Sequence, residues 1–259
     1  MLFSDLEKQA FAQYEEVAGV DEAGRGCLAG PVSTAAVAVS RGDFASGRLD
    51  NFCAKIGLKE IRDSKKLTPK KRQEIFAVIK EESAIKWRAK LVGAPTIDRV
   101  NIWQATLLGW QDCLAQFGAI PDMLFIDGAL SMPNFSVRQQ AVVGGDAKIF
   151  IVSLASIIAK VLRDAHMTEL DLLYPGYGFA VHKGYGTKAH FASLAKLGVS
   201  AEHRRSFQPV FAALSFAERI RYVVSHIPQG QSMTYQEVAR AVGEPNAYRA
   251  VGNVLNKKL

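Results

Sequence analysis

Apolar residues along this chain occur in short unbroken runs and in three-to-four-residue spacing, and the two patterns alternate. Val17-Ala18-Gly19-Val20 is a short run that delivers two adjacent acids into a glycine-rich turn, Asp21-Glu22-Ala23-Gly24-Arg25-Gly26. Residues 32–39, rich in Val, Ala and Thr, read as a buried strand, and residues 84–92 alternate as a strand does. Another strand is predicted over 121–126, ending at Asp127-Gly128. Thr68-Pro69 sets a capping residue and a proline at a helix start, and Ile75, Phe76 and Ile79 then recur at helical intervals. The spacing of Ile97, Val100, Ile102, Trp103, Leu107 and Trp110 predicts one long helix over 95–117. A second helix is predicted over 153–173, with Ile157, Ile158, Val161 and Leu162 inward, and an amphipathic one over 187–197. Strands interleaved with helices argue for an α/β domain.

The pattern changes after Phe207-Gln208-Pro209. Residues 215–226 read as a helix, Pro228-Gln229-Gly230 as a turn, and two short helical stretches flank Gly243-Glu244-Pro245. Two short helices across a glycine-containing turn resemble a helix-turn-helix. The expected division is therefore 1–210 and 211–259. The chain contains no internal repeat and no low-complexity tract.

At 259 residues and 49% hydrophobic content the chain can bury a full core. Lys and Arg outnumber Asp and Glu by 32 to 25, a formal charge of +7 that favours polyanions, nucleic acid foremost. Generic solubility is the alternative source of that charge. Cys27, Cys53 and Cys113 lie far apart, with neither disulfide nor zinc spacing, so a reducing cytoplasm is expected. No apolar run approaches the ~20 residues a bilayer requires, and no membrane association is expected.

Four acids recur where apolar runs give way to glycine: Asp21, Glu22, Asp127 after Leu124-Phe125-Ile126, and Asp146 after Val142-Val143-Gly144-Gly145. Neighbouring side chains at a strand end diverge, so Asp21 and Glu22 can face different cations. Clustered carboxylates repel unless cations offset them, and two ions ~4 Å apart can clamp both the attacking and leaving oxygens of a phosphodiester. The alternative for Asp127 or Asp146 alone is an ordinary turn aspartate. Glycines allow backbone amides close to a phosphate, and Arg25 adds a cation.

The segment Val20 to Gly26 closely resembles the signature of ribonuclease HII. The resemblance continues through Asp63-Ser64-Lys65-Lys66-Leu67, Ile126-Asp127-Gly128, the stretch Ser156 to Asp164, His182-Lys183-Gly184-Tyr185-Gly186-Thr187 and His203-Arg204-Arg205-Ser206-Phe207. Six motifs in order span roughly residues 14–210. The resemblance implies an RNase H-like mixed sheet flanked by helices and a requirement for Mn²⁺ or Mg²⁺. It implies endonucleolytic cleavage of RNA in RNA–DNA hybrids, and incision at single ribonucleotides in duplex DNA; separately from the resemblance, a monomer is expected. By position, Asp21, Glu22, Asp127 and Asp146 become the metal-binding and catalytic acids. Gly24, Arg25 and Gly26 become the sensor of the ribose 2′-hydroxyl, the group that separates RNA from DNA. Tyr185 is placed against the following deoxyribose; a half-buried core aromatic is its alternative. Lys65, Lys66 and Lys160 are expected at phosphates, against solvated loop lysines for the first two. Helix packing is expected of Ser156. His203 and Arg204 are expected to face the duplex backbone, or His203 to act as a cap. Leu154, Gly145 and Ala129-Leu130-Ser131 depart from the family pattern without touching an expected metal ligand.

Residues 211–256, from Ile227-Pro228-Gln229-Gly230 through Thr234-Tyr235-Gln236-Glu237 to Arg249-Ala250-Val251-Gly252, resemble the DNA-binding half of O6-alkylguanine-DNA alkyltransferases. The resemblance places Tyr235 at a target phosphate and Arg249 at a flipped base. That family continues to a Pro-Cys-His-Arg site, whereas this sequence runs Asn256-Lys257-Lys258-Leu259, and residues 211–259 contain no cysteine. Alkyl transfer is not expected of the segment. It reads as an accessory DNA-binding module or an inert, partly ordered remnant, with the balance toward the remnant. A non-catalytic nucleic-acid-binding protein and an alkyltransferase-like repair protein are the rival classes; the intact acid set weighs against the first, and the missing second half of the alkyltransferase domain against the second.

Overall fold

The structure is a computed structural model, and it describes residues 3–56 and 67–256. Lys65 and Lys66 therefore lie outside the described residues. The centre is a five-stranded mixed sheet in the order β3-β2-β1-β4-β5, built from β1 (Glu16–Ala23), β2 (Val32–Ser40), β3 (Lys86–Val92), β4 (Met123–Asp127) and β5 (Arg138–Val142). β1 pairs antiparallel with β2, and β2 with β3, while β4 joins β1 and β5 in parallel. Both faces are covered, which explains why β1 and β2 are nearly continuous in apolar character.

One face carries Val17, Ala35, Val37, Met123 and Phe125 against Ile151, Leu154, Ile157 and Ile158 of α8 (Phe150–Leu173). The other carries Ala18, Val20, Ala36, Leu124 and Ile126 against Leu107, Trp110 and Leu114 of α6 (Ile102–Ala115). Strand parity thus decides which helix each residue meets.

The helix predicted over 95–117 is two helices, α5 (Ala94–Val100) and α6. They meet at Asn101, whose φ of 68° breaks the ladder while its side chain accepts from the Gln104 amide and caps α6. Apolar spacing runs across that junction unchanged, so periodicity conceals it. Asn tolerates the left-handed region because its short amide bonds locally. β5, with the sequence RQQAV, has no apolar pattern, and pairing with β4 alone makes it a strand. α1 (Asp5–Gln13) starts with a Ser4–Glu7 capping box. Glu7 is fully buried: Oε2 accepts from the Ser4 amide and hydroxyl, and Oε1 accepts from the Ile151 amide at 3.0 Å. It caps α1 and the start of α8 together, and burial raises its pKa.

The C-terminal helices are α11 (Gln208–Ala213), α12 (Phe216–Ser225), α13 (Tyr235–Ala241) and α14 (Tyr248–Asn256). Ile220, Val238, Ala239, Val242 and Val251 form a core of their own, lined by Phe211, Phe216 and Leu255. This corrects the expectation of a partly ordered segment: three amphipathic helices suffice to bury one apolar face each. Asp98 of α5 holds the approach to this unit, accepting from the Arg205 amide at 3.0 Å and the Ser206 amide and hydroxyl at 2.8 and 2.6 Å.

Candidate active site

β1 and β4 run parallel with Val20 opposite Ile126, so the next residues, Asp21 and Asp127, emerge side by side at the same sheet end. Both have the parity of the face covered by α8. Asp146 arrives from α7 (Gly145–Lys148), a single helical turn entered through Gly144 at φ 69°. Carboxylate oxygens of Asp21, Asp127 and Asp146 lie within 4.8 Å of one another. The Gly145 amide donates to Asp127 Oδ1 at 2.6 Å, linking the second and third acids and correcting the expectation that Gly145 touches no metal ligand.

Asp21 is 3% exposed and its pKa is raised well above the ordinary aspartate value. Burial is the main cause, followed by the negative charges of Glu22 and Asp127; bonds from Ser156 and the Glu22 amide act in the opposite sense. The Ser156 hydroxyl therefore serves Asp21, which corrects its assignment to helix packing. Three hard oxygen donors this close together fit a site for Mg²⁺ or Mn²⁺, because a divalent cation offsets the repulsion between carboxylates. Glu22, the fourth expected ligand, stands beside this group but outside it. Its Oε1 lies 3.2 Å from Arg25 Nη1, on the opposite side of the strand from Asp21.

Arg25 is partly exposed, its guanidinium 5.4 Å from the Trp103 ring centroid. Behind it, Arg204 donates from Nη2 to Gly24 O at 2.7 Å, from Nη1 to Arg25 O at 2.8 Å and from Nε to Gly30 O at 3.0 Å. Arg204 is fully buried, so the expectation that it faces the duplex backbone is corrected. Its role is geometric: in a trans peptide N–H and C=O point in opposite directions, so turning the carbonyls of Gly24 and Arg25 inward aims the Arg25 and Gly26 amides outward. Burial, then the neighbouring Arg163, lowers the Arg204 pKa to about 10.

His203 is likewise buried rather than facing the duplex. Its Nδ1 accepts from the Ser200 amide and hydroxyl, and its Nε2 lies 3.0 Å from His190 Nε2. His190 Nδ1 donates to the Tyr185 carbonyl at 2.9 Å, so both rings are neutral and each has one tautomer. Burial, then His190 and His182, lowers the His203 pKa to about 4.

Tyr185 is 43% exposed. Lys160 Nζ stands 5.7 Å and the Arg163 guanidinium 5.9 Å from its ring centroid, and its hydroxyl bonds Cys27 beside the glycine turn. Lys160 also pairs with Asp164 at 2.8 Å. Tyr235 and Arg249 are exposed on the C-terminal helices, Arg249 over the Tyr248 ring. Arg163, buried on α8, was not singled out from sequence. The spacing of Ser156, Ala159, Arg163 and Met167 does place it on the inner face of that helix, and that was its signal.

A mixed sheet in this order, with three carboxylates converging at the ends of β1 and β4, defines an RNase H-like hydrolase that acts as a nuclease. The Ribonuclease HII family model matches residues 18–212, and residues 215–259 match that of the 6-O-methylguanine DNA methyltransferase DNA binding domain. Ribonuclease HII of Vibrio campbellii is 45% identical over 205 residues, 79% of this chain and 90% of that protein. The ribonuclease H2 structure from Pyrococcus horikoshii superposes with TM-score 0.58 at 25% identity, covering 76% of this chain and 96% of that one. Bst-RNase HIII in complex with Mn²⁺ shares the fold at TM-score 0.58 and 19% identity, over 79% of this chain and 71% of that one. This chain belongs to the ribonuclease HII family, whose members act on RNA–DNA hybrids and depend on divalent metal.

Proposed function

We propose that this protein cleaves the RNA strand of RNA–DNA hybrids and incises 5′ to single ribonucleotides in duplex DNA, leaving 5′-phosphate and 3′-hydroxyl ends. The observation that carries this reading is the convergence of Asp21, Asp127 and Asp146 within 4.8 Å, next to a turn whose amides face outward. Asp21, Asp127, Asp146 and Glu22 would hold two Mg²⁺ or Mn²⁺ ions, which would supply activation of a water and stabilisation of charge on the departing 3′-oxygen. The amides of Arg25 and Gly26 grip the phosphate and ribose of the ribonucleotide, with the Arg25 guanidinium alongside. Tyr185 presents its ring to the sugar of the next nucleotide, where a 2′-hydroxyl would clash. Lys160, Lys65 and Lys66 contact phosphates. Ser156 and the Gly145 amide keep two acids in register through each turnover.

We take 1–210 as the catalytic unit and 211–259 as an accessory duplex-binding unit, since the latter has its own core and leaves Tyr235 and Arg249 exposed. The test is a single gel. Duplex DNA with one ribonucleotide, incubated with Mg²⁺ or Mn²⁺, is expected to show a nick 5′ to that ribonucleotide. Intact duplex with both metals would refute the reading.

A further inference from the structure

We infer that Arg163 is a positioning residue for substrate selection, fixing the separation between the Gly24-Arg25-Gly26 turn and Tyr185. The inference rests on the proposed roles of those two recognition points. Arg163 belongs to neither. It lies on α8, fully buried, and its three hydrogen bonds go to main-chain carbonyls of two separate segments. Nε donates to Pro31 O at 2.9 Å and Nη2 to Ala29 O at 3.2 Å, both in the segment that follows the glycine turn. Nη1 donates to Lys183 O at 2.8 Å, at the entry to the Tyr185 loop.

A guanidinium is a rigid planar fork, so carbonyls bound to its different nitrogens are held at a distance set by the fork itself. The same plane touches both recognition points directly. Gly24 sits at φ +93°, and a Cβ there would lie 1.9 Å from Arg163 Nε, so the turn rests on the fork without intervening atoms. On the other side the guanidinium stands 5.9 Å from the Tyr185 ring centroid. Backbone bonds close the seam: Leu28 N donates to Gly184 O, and Arg204 N to Leu28 O, each at 2.8 Å. Gly184 shows how tight it is, since a Cβ at this residue would fall 2.4 Å from Ala29 O. Burying a cation among carbonyls costs more than an apolar brace would, so a function beyond packing is indicated. A ruler between two contact points, one on the ribonucleotide and one on the following sugar, meets that requirement.

The test compares two duplexes of one sequence: a single ribonucleotide followed by DNA, and a uniform RNA–DNA hybrid lacking that junction. Arg163→Lys keeps the charge but replaces the fork by a single ammonium. Its preference for the junction substrate, as a ratio of kcat/KM values, is expected to fall about tenfold, chiefly through kcat, because sub-ångström misplacement slows an aligned reaction. In a Tyr185→Ala background, adding Arg163→Lys is expected to leave the ratio unchanged. Equal losses on both duplexes, or a further loss in the double variant, would overturn the inference. Should Arg163→Lys not fold, Gly184→Ala forces the same two segments apart and is expected to reproduce the tenfold loss; a retained preference there overturns the inference as well. A junction preference in the unmodified protein that survives Arg163→Lys removes this inference alone. No preference in the unmodified protein removes the Tyr185 reading and the inference with it.

Discussion

The sheet end that carries the acids and the helices that follow residue 207 are stabilised in opposite ways. At the sheet end the decisive bonds are long-range: Gly145 to Asp127 spans 18 residues, and Arg204 to Gly24 spans 180. Asp21, Asp146 and Arg204 are buried there, and main-chain groups hold Asp127 and Arg204 in place. In the C-terminal unit most polar bonds are local, with capping boxes at Ser215–Glu218 and Thr234–Glu237, the bond from Arg219 Nη1 to Val242 O joins α12 to the end of α13, and the buried core is apolar. The first region obtains geometry from the whole fold; the second is assembled from pieces that need only their neighbours. Substitutions in the first should therefore alter chemistry, and those in the second should alter only local stability and grip.

The sharpest break in that contrast comes from Asp21→Asn. With Mg²⁺ present, cleavage is expected to fall at least about 1000-fold while hybrid affinity, read by fluorescence anisotropy, changes less than about threefold. Full activity in this variant would remove the metal mechanism. Acid provides the next largest effect. His203 has a folded pKa of about 4 against an ordinary 6.5, so the fold favours its neutral form. Its contribution is complete above pH 6.5 and is lost as pH falls toward 4, by about 3 kcal/mol. Thermal melts between pH 7 and 4.5 should show this decline, and His203→Gln should flatten it.

Smaller effects belong to the C-terminal unit. Thr234→Ala removes a cap and should cost about 1 kcal/mol of local stability, visible by hydrogen exchange in α13 without change in cleavage rate. The least effect is expected of Tyr235→Ala combined with Arg249→Ala in the full chain. Duplex affinity against log salt should lose about one unit of slope, the signature of a lost phosphate contact. An unchanged slope would mark these helices as a passenger.

The acids were legible because their setting is local. Asp21-Glu22 before a glycine turn, and Ile126-Asp127-Gly128, state their position within a few residues. Asp146 was legible as an acid after an apolar run and two glycines, and the structure resolves that setting as a strand, β5, followed by the helical turn α7. The roles of Arg204 and His203 were not legible. Whether a basic side chain meets phosphate or carbonyl depends on whether distant segments close over it, and Leu28, Gly30 and Ser200 do so only in three dimensions. Asn101 was hidden for another reason, because the apolar rhythm on both sides of it is continuous.

The shared carboxylate of Glu7 has a consequence for how the molecule comes together. One oxygen serves α1 and the other the amide of Ile151, so the start of α8 has this cap only when α1 is docked against it. Ser156 and Arg163 ride on that helix. The opening nine-residue helix thus acts as a latch on the floor beneath the acids, and trimming it should loosen a site it never touches.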